Sequence, residues 1–504
     1  MLDVKPGSNL LFDGPEWSFE LLEKARDAIE DIALNDLGLN VYQNQIEIIS
    51  AEQMLDAYSC TGLPLMYQHW SFGKHFARDE ALYRTGRQGL AYEIVINSNP
   101  CISYNMEENT MAMQTLVMAH AAFGHNHFFK NNYLFLQWTD ADGIHDYLAF
   151  AKNYIAACEE RYGLDAVEEI LDSAHALQTQ GVFRYGRPPK PTAQELEAMQ
   201  RVRDGHESAR SLLDIWTDAT LGKTKEGEHP DEPQSARRKS LNLPQENILY
   251  FLEKHSPILK PWQRELLRIV RMLAQYFYPQ KQTKVMNEGC ATFVHYYIIN
   301  ELFSQGRLSE GAFMEMMHSH TNVVLQPEYD DPRYSGINPY ALGFAMMTDI
   351  KRICETPTQE DREWFPDLAG HADWRAVLRD AWANYRDESF IQQFLSPHLM
   401  RKFKLFTLVD DADQKDLVVS QIHNRAGYKE IRRSLAQQYD LAYLEPDIQV
   451  TDADLSGDRR LILSHTVRDG IQLEEKNKEE VLRHLRTLWG YDVCLNAVET
   501  VVER

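Results

Sequence analysis

The sequence lacks the cysteine patterns of a disulfide framework or a thiolate zinc site. Its six cysteines are scattered over 504 residues without a C-x-x-C pair. Its most apolar stretches end well short of the about 20 residues that a membrane-spanning helix needs. The N-terminal segment has no basic region followed by an apolar one, as a secretory signal would. We therefore expect a cytoplasmic protein in a reducing compartment, without membrane insertion.

Positive charge is also scarce. The 52 Lys and Arg residues are outnumbered by 75 Asp and Glu residues, which gives a formal net charge of −23 at pH 7. Such a chain repels phosphate backbones and anionic lipid surfaces, so we expect no nucleic-acid partner. The P-loop, the G-x-G-x-x-G fingerprint and the G-x-S-x-G elbow are absent as well. Nucleotide-driven and serine-hydrolase chemistry therefore have no support.

The composition is that of a globular protein with more than one domain. Hydrophobic residues make up 44% of the chain, enough to form sizeable cores. Helical periodicity dominates, and the segment beyond about residue 401 alternates short strands with helices. We predict a mainly helical α+β fold with a C-terminal α+β domain. The predicted division is a strand-plus-helix region, a charged linker, a helical region and that domain, at residues 1–215, 216–247, 248–400 and 401–504.

Local patterns place several of these elements. An amphipathic helix is predicted from Trp17 to Leu39, and the β-branched run around Ile94 to Ile96 is the clearest strand signal in the first half. A long helix is predicted from Glu107 onward. Further predicted helices cover 146–162, 164–178, 193–213, 262–277, 287–304 and 310–318. In the C-terminal domain we predict strands within FKLFTLVDD, DLVVSQIHN, DIQVTD, RRLILSHTV and YDVCLNAV, and helices over 428–439 and 478–488.

The segment MAHAAFGHNHFFKNN carries three histidines on one predicted helix. In an α-helix His120 and His125 diverge by about 140°, and His120 and His127 lie about 10 Å apart along the axis. A π-bulge would bring His120 and His125 to one face. Alternatively, Gly124 ends the helix and His125 folds back. Both alternatives make His120 and His125 the better metal-binding pair.

The segment KVMNEGCATFVHYY supplies a carboxylate from a second helix. Glu288, together with His120 and His125, forms a His₂Glu set, which suits zinc and leaves a position open for substrate. His295 lies two turns after Glu288, so it could be a fourth ligand only in a distorted helix. Otherwise it is expected to orient a ligand or to contact the substrate. Another divalent metal is an alternative to zinc.

Other polar residues compete for roles in such a site. Glu315 and His318 have the spacing of half of a di-iron motif, but the sequence has no second E-x-x-H to complete it. Around the aromatic cluster near residue 70, His69 and Lys74 are candidates for binding an anionic or amide substrate. Asn97, at the end of the predicted strand, is a third substrate-binding candidate.

Several long motifs resemble the stage V sporulation protein R family. They are HWSFGK, LAYEIVINSNP, MAHAAFGHNHFFKNN, MNEGCATFVHYY, MHSHTNVV and SGINPYALGFAMMTDIKRIC, in that order. The resemblance covers nearly the whole chain and implies a link to spore cortex formation. It also implies two partners, a PrkA-type serine kinase and a von Willebrand-type-domain protein. The chain departs from the family pattern at Cys290, where Trp is usual, and at His127, where a smaller polar or acidic residue is usual.

The candidate site is similar in a second way to gluzincin peptidases. Those enzymes have an edge strand, a HExxH helix and a later helix that begins with NEG, whose Glu is the third zinc ligand. The resemblance implies a zincin-like helical core with a small sheet. Ala121, however, takes the place of the glutamate that polarises water, so the base must come from elsewhere. Glu93 in the strand and Glu107 before the helix are the candidates, although Glu107 and Glu108 equally suit a helix start.

Two functions follow as expectations. The first is a zinc-dependent, gluzincin-like hydrolase or amide-bond enzyme linked to peptidoglycan, spore cortex or stress physiology. Its ion would be held by His120, His125 and Glu288, while Glu93, Glu107 and His295 would be catalytic. The second is a non-enzymatic adaptor of the kinase system with a structural histidine cluster.

Overall fold

A computed structural model describes residues 9–59, 66–67, 69–70, 93–184, 238, 241–405, 408–409, 418–419, 424–455, 457–468 and 470–499. The predicted helix over 193–213 and most of the linker at 216–247 lie outside these residues. The chain divides into two compact units. The first comprises Met1–Glu168 and Leu273–Glu445, and the second comprises Glu169–Met272 and Pro446–Arg504. The sequence-based boundaries do not coincide with this grouping and stay predictions.

Helices dominate both units, so the predicted mainly helical α+β class is confirmed. In chain order the α-helices are α1 (Phe19–Asp31), α2 (Ala51–Ser59), α3 (Met111–Met118), α4 (Asn126–Asn131), α5 (Tyr133–Trp138), α6 (Ile144–Tyr162), α7 (Leu164–Ala176), α8 (Ile248–His255), α9 (Pro261–Gln282), α10 (Lys284–Ser304), α11 (Glu310–Val323), α12 (Pro339–Glu355), α13 (Gln359–Trp364), α14 (Trp374–Asn384), α15 (Asp387–Phe394), α16 (Pro397–Lys402), α17 (Arg425–Gln437), α18 (Leu441–Leu444) and α19 (Glu475–Trp489). The strands are β1 (Asn44–Ile49), β2 (Glu93–Ile96), β3 (Cys101–Met106), β4 (Leu408–Val409), β5 (Val418–Val419), β6 (Asp447–Ala453), β7 (Leu461–Val467) and β8 (Val493–Glu499). None of the helices within the described ranges combines the length and apolar character needed to cross a bilayer.

The first unit is built around α10. This helix buries residues on all of its sides, as a helix that is apolar all round must. Buried side chains from the surrounding helices complete the same core, among them Ile29, Phe123, Met346 and Trp382. The helix that carries Glu288 is therefore the centre of the unit.

A small mixed sheet lies in the same unit. Its strand order is β1-β3-β2, with β1 parallel and β2 antiparallel to β3. The chain turns between β2 and β3 at the Asn97-Ser98-Asn99-Pro100 segment that marked the end of the predicted strand. Glu93 is the first residue of β2 and pairs with Asn105 of β3. β1 was not predicted, because its partner is more than fifty positions away in the sequence.

The second unit contains the sheet β6-β7-β8. β7 and β8 are parallel, and two consecutive parallel strands need a crossover connection, which α19 supplies. Leu485, Leu488 and Trp489 of α19 are buried. The strands and the helix predicted from DIQVTD onward are all present.

The N-terminus of α10 is capped by a distant carboxylate. Thr283 precedes the helix but makes no side-chain capping bond. Instead, the backbone N–H groups of Val285 and Met286 each donate to Asp387, at 2.8 Å. Asp387 is buried, so its oxygens replace the water that would otherwise satisfy these donors.

We expect an Asp387→Ala variant to lower the free energy of unfolding by at least about 2 kcal/mol, because two buried donors lose their acceptor. Urea denaturation followed by circular dichroism measures this change. Asp380→Ala is the matched control, since Asp380 is exposed on α14 and bonds only to Asn384 among the described residues. Equal stability of the two variants would refute the capping role of Asp387.

Candidate metal centre

The helix between α3 and α4 is widened. Residues Ala119–His125 form a π-helix that continues directly from α3 into α4. In such a turn residues five apart come to one face. The rings of His120 and His125 accordingly meet edge to face, with 4.7 Å between their centroids. Of the two alternatives drawn from the sequence, the π-bulge is the one found, and Gly124 stays within the helix.

Glycines bring this π-helix and two further helices into backbone contact. A Cβ on Gly124 would lie 2.5 Å from the Cα of Ala291 in α10. On the same helix, a Cβ on Gly289 would lie 2.6 Å from the Cα of Gly343 in α12. Real Cβ atoms do not approach other atoms so closely, so these positions require glycine. The close approach places Glu288 beside the two histidines.

Three predicted ligands converge in space. Nε2 of His125 lies 3.6 Å from Oε2 of Glu288, and Nε2 of His120 lies 4.0 Å from the same oxygen. The donor atoms of the three side chains all fall within 4.8 Å of one another. Oε2 of Glu288 is buried and has no hydrogen-bond partner among the residues that the structure describes. A buried carboxylate oxygen without a partner is costly, and a cation would satisfy it.

The other ring nitrogen of each histidine is held by the protein. Nδ1 of His125 lies 2.9 Å from Oδ1 of Asn287. Because an amide oxygen only accepts, Nδ1 of His125 carries the proton in the neutral ring, and the lone pair is then on Nε2. Nδ1 of His120 lies 2.9 Å from Nδ1 of His295. Both histidines thus present Nε2 to Glu288, the arrangement expected of a metal-binding histidine whose other ring nitrogen is held by the protein.

Glu93 completes the immediate surroundings of the site. Its Oε1 lies 3.7 Å from Nε2 of His120. Burial, together with the negative charge of Glu288, raises the pKa of Glu93 to about 8. Burial, followed by the neighbouring His125 and His295, lowers the pKa of His120 well below its usual value. At neutral pH the contact between Glu93 and His120 is therefore between neutral groups and is not an ion pair.

His320 extends the cluster and was missed in the sequence. Its Nδ1 lies 2.9 Å from Nε2 of His295. The pKa of His295 is lowered well below its usual value by burial, and burial lowers the pKa of His320 to about 4. The nearest signal in the sequence was the Glu315 and His318 spacing of half a di-iron motif, which involves the neighbouring histidine of MHSHTNVV and not His320. Asn287 was also missed as the partner of His125, although it belongs to the NEG motif.

His127 lies elsewhere. The backbone N–H of Asn40 donates to its Nδ1 at 2.9 Å, and its ring meets Trp382 edge-on with 5.4 Å between centroids. Burial lowers the pKa of His127 to about 4. The neighbouring Asn126 bonds to Tyr42 through both of its side-chain atoms. His125 therefore belongs to the candidate site, whereas Asn126 and His127 bind the segment that precedes β1.

The remaining predicted site residues are spread more widely. Glu107 is exposed in the turn after β3, where its backbone N–H donates to the carbonyl of Ile49 and its carbonyl accepts from the indole N–H of Trp17. Asn97 is buried and donates to Thr139 at 2.9 Å. His69 is buried beside Trp70, with 5.5 Å between ring centroids. Lys74 lies outside the described residues. Substrate binding by Asn97, His69 and Lys74 and catalysis by Glu93, Glu107 and His295 stay predictions.

Sequence comparisons place the chain among known proteins. A family model described as SpoVR like protein matches residues 16–444, and one described as SpoVR-like C-terminal domain matches residues 446–500. The uncharacterized protein YcgB of Escherichia coli (strain K12) is 55% identical over 485 residues, which cover 96% of this chain and 93% of that protein. No solved structure matches. The chain belongs to the SpoVR family.

Proposed function

We propose that the protein is a metal-dependent enzyme whose ion is held by His120, His125 and Glu288. The observation that carries the proposal is the convergence of three donor atoms within 4.8 Å of one another, where Oε2 of Glu288 is buried without a hydrogen-bond partner among the described residues. Two imidazoles and one carboxylate are the ligand set of many catalytic zinc sites, which leave a position open. The same set also suits iron(II), so zinc is the first choice and iron the second.

The chain's own residues define the chemistry that we propose. A bound ion would act as a Lewis acid toward a carbonyl group. Ala121 carries no carboxylate, and Glu93 is the acid in contact with a ligand histidine. We assign to Glu93 the role of moving a proton to or from the reacting group, which requires a carboxyl group within hydrogen-bond reach of the site. Asn287 orients His125 through the bond to its Nδ1.

The proposed reaction is hydrolysis or a related transfer at an amide bond. The substrate would be a peptide or a peptidoglycan-precursor-like molecule in the cytoplasm. This class is supported by the association of the SpoVR family with spore cortex formation and by the likeness to gluzincins, whose zincin-like core we keep as a proposal. The PrkA-type kinase and the von Willebrand-type-domain protein remain proposed partners on the same family basis.

One observation favours a second function. Ala121 removes the acid that a zincin helix uses, and a site without it would suit a non-enzymatic adaptor of the kinase system. In that case the ion, or the histidine cluster alone, would only stabilise the fold. The two functions differ in the role of Glu93, which is dispensable in an adaptor.

The metal content of the protein tests the proposal. We expect protein purified without a polyhistidine tag to contain about one zinc or iron per chain, and His120→Ala and His125→Ala to be sub-stoichiometric, because each loses one of three ligands. Inductively coupled plasma mass spectrometry measures this content. His318→Ala is the control, since His318 is exposed on α11. The site would be refuted by a wild-type protein without metal, or by His120→Ala and His125→Ala variants that contain as much metal per chain as the control.

A further inference from the structure

Buried histidines extend from the candidate metal centre in a line. His120 contacts His295, and His295 contacts His320, each through one pair of ring nitrogens 2.9 Å apart. The three residues come from the π-helix, from α10 and from α11. His295 is 2% exposed and His320 is 5% exposed, so water does not compete for these bonds. The proposed ligand set uses only the first of the three residues.

When Nε2 of His120 binds an ion, the two hydrogen bonds that join His120, His295 and His320 can be donated in only one direction. A ligating nitrogen carries no proton, so the proton of neutral His120 is on Nδ1, which donates to Nδ1 of His295. His295 then carries its proton on Nε2 and donates to Nδ1 of His320. In the opposite direction, Nε2–H of His120 would point at Glu93 and Glu288, and that nitrogen would have no lone pair for an ion.

We propose that His295 and His320 are positioning residues that fix the metal-binding form and the ring orientation of His120. This inference rests on the proposed metal centre. His295 is suited to the task because it accepts with one nitrogen and donates with the other. His320 is suited because its Nδ1 is a buried acceptor for the Nε2 proton of His295. With that proton on Nε2, Nδ1 of His295 is free to accept from His120, which leaves Nε2 of His120 unprotonated for an ion.

Aromatic packing holds the far end of the line. The ring of His320 lies against Tyr296 and Phe344, with centroids 4.9 Å and 4.8 Å away. Tyr296 and Phe344 also contact each other, at 5.2 Å. The His320 ring is thus confined by α10 and α12 as well as by its own helix. A confined acceptor fixes the position of His295, and through it that of His120.

Substitutions at His295 separate positioning from packing. Phenylalanine keeps an aromatic ring of similar size but offers no hydrogen bond to His120 or His320. Glutamine accepts through its carbonyl oxygen and donates through its NH₂ group, so it preserves both bonds in the required direction. The backbone of Ala291 also hydrogen-bonds to His120, so we expect His295→Phe to weaken metal binding without abolishing it.

The experiment measures the zinc affinity of untagged protein by competition with a chelator, and the absorption spectrum of the cobalt-substituted protein. We expect His295→Phe to lose about 10- to 100-fold in affinity and to shift the cobalt bands, and His295→Gln to recover most of both. His320→Phe should have a smaller effect that disappears in the His295→Phe background, because it acts through His295. His318→Phe, exposed on the same helix, is the control.

The outcomes distinguish this inference from the proposed function. If the wild-type protein binds zinc and His295→Phe binds it with wild-type affinity and spectrum, the positioning role is wrong and the metal centre stands. If the loss of zinc affinity caused by His320→Phe is fully retained in the His295→Phe background, His320 does not act on His120 through His295. If the wild-type protein binds no metal, the proposed function and this inference both fail.

Discussion

A Gly124→Ala variant is expected to lower the free energy of unfolding by about 3 kcal/mol and to lose the ion of the proposed metal centre. The added methyl group would lie 2.5 Å from the Cα of Ala291. That neighbour is backbone, so it cannot rotate away as a side chain can. Overpacking of this kind typically costs about 1 to 3 kcal/mol, and contact with a backbone atom places this case at the upper end.

The loss of metal has a geometric reason. Relief of the clash requires the π-helix to move away from α10, and the two helices carry the two halves of the proposed ligand set. A displacement of even 1 Å separates the histidines from Glu288, whose Oε2 already lies 3.6 Å and 4.0 Å from their Nε2 atoms. Thermal denaturation and metal analysis of the same preparation measure both effects.

Gly311→Ala is the matched control. Gly311 is exposed near the start of α11, and a Cβ there would meet nothing within 4 Å. Because alanine favours a helix over glycine by about 1 kcal/mol, this variant should be as stable as the wild type or slightly more so. Wild-type stability and metal content in Gly124→Ala would show that the π-helix and α10 do not pack as closely as described.

Local sequence signals were sufficient to predict that His120 and His125 share one face and that Glu93 lies on a strand. The spacing of His120 and His125 demanded either a π-bulge or a helix end, because no regular α-helix brings them together. The NEG motif pointed to Glu288 as the third ligand. The β-branched run around Ile94 placed Glu93 on a strand. Each of these predictions depends on residues within one turn or one strand of each other.

The parts that were not predicted depend on distant residues. No local sequence pattern near Asn44 predicted β1, which forms by pairing with β3 in a parallel register. Likewise, His320 gains its role only because α11 packs beside α10, and Asp387 caps a helix about one hundred positions earlier. The sequence also left open whether the 120–125 segment forms a π-bulge or ends the helix at Gly124. That choice depends on the tertiary contact between Gly124 and Ala291.

The second large effect concerns the two carboxylates of the site, which we expect to respond differently to the same change. Glu288→Gln should leave the protein sub-stoichiometric in metal, because an amide oxygen carries no charge to offset that of the cation. Glu93→Gln should keep about one ion per chain, because Glu93 is not among the three converging ligands. The two substitutions are identical in chemistry, so either side chain serves as the control for the other.

The cellular consequence should nevertheless be the same for both variants. Glu93→Gln removes the proposed proton carrier while the ion remains bound, whereas Glu288→Gln removes the ion itself. In a strain that lacks the chromosomal copy, mass spectrometry of cytoplasmic amide-containing envelope precursors should show the same accumulated species with either variant. If Glu93→Gln retains metal and restores the wild-type profile, Glu93 does not transfer the proton, and the adaptor function becomes the better account. If it loses metal instead, Glu93 is a fourth ligand and the centre is more closed than the His₂Glu set implies.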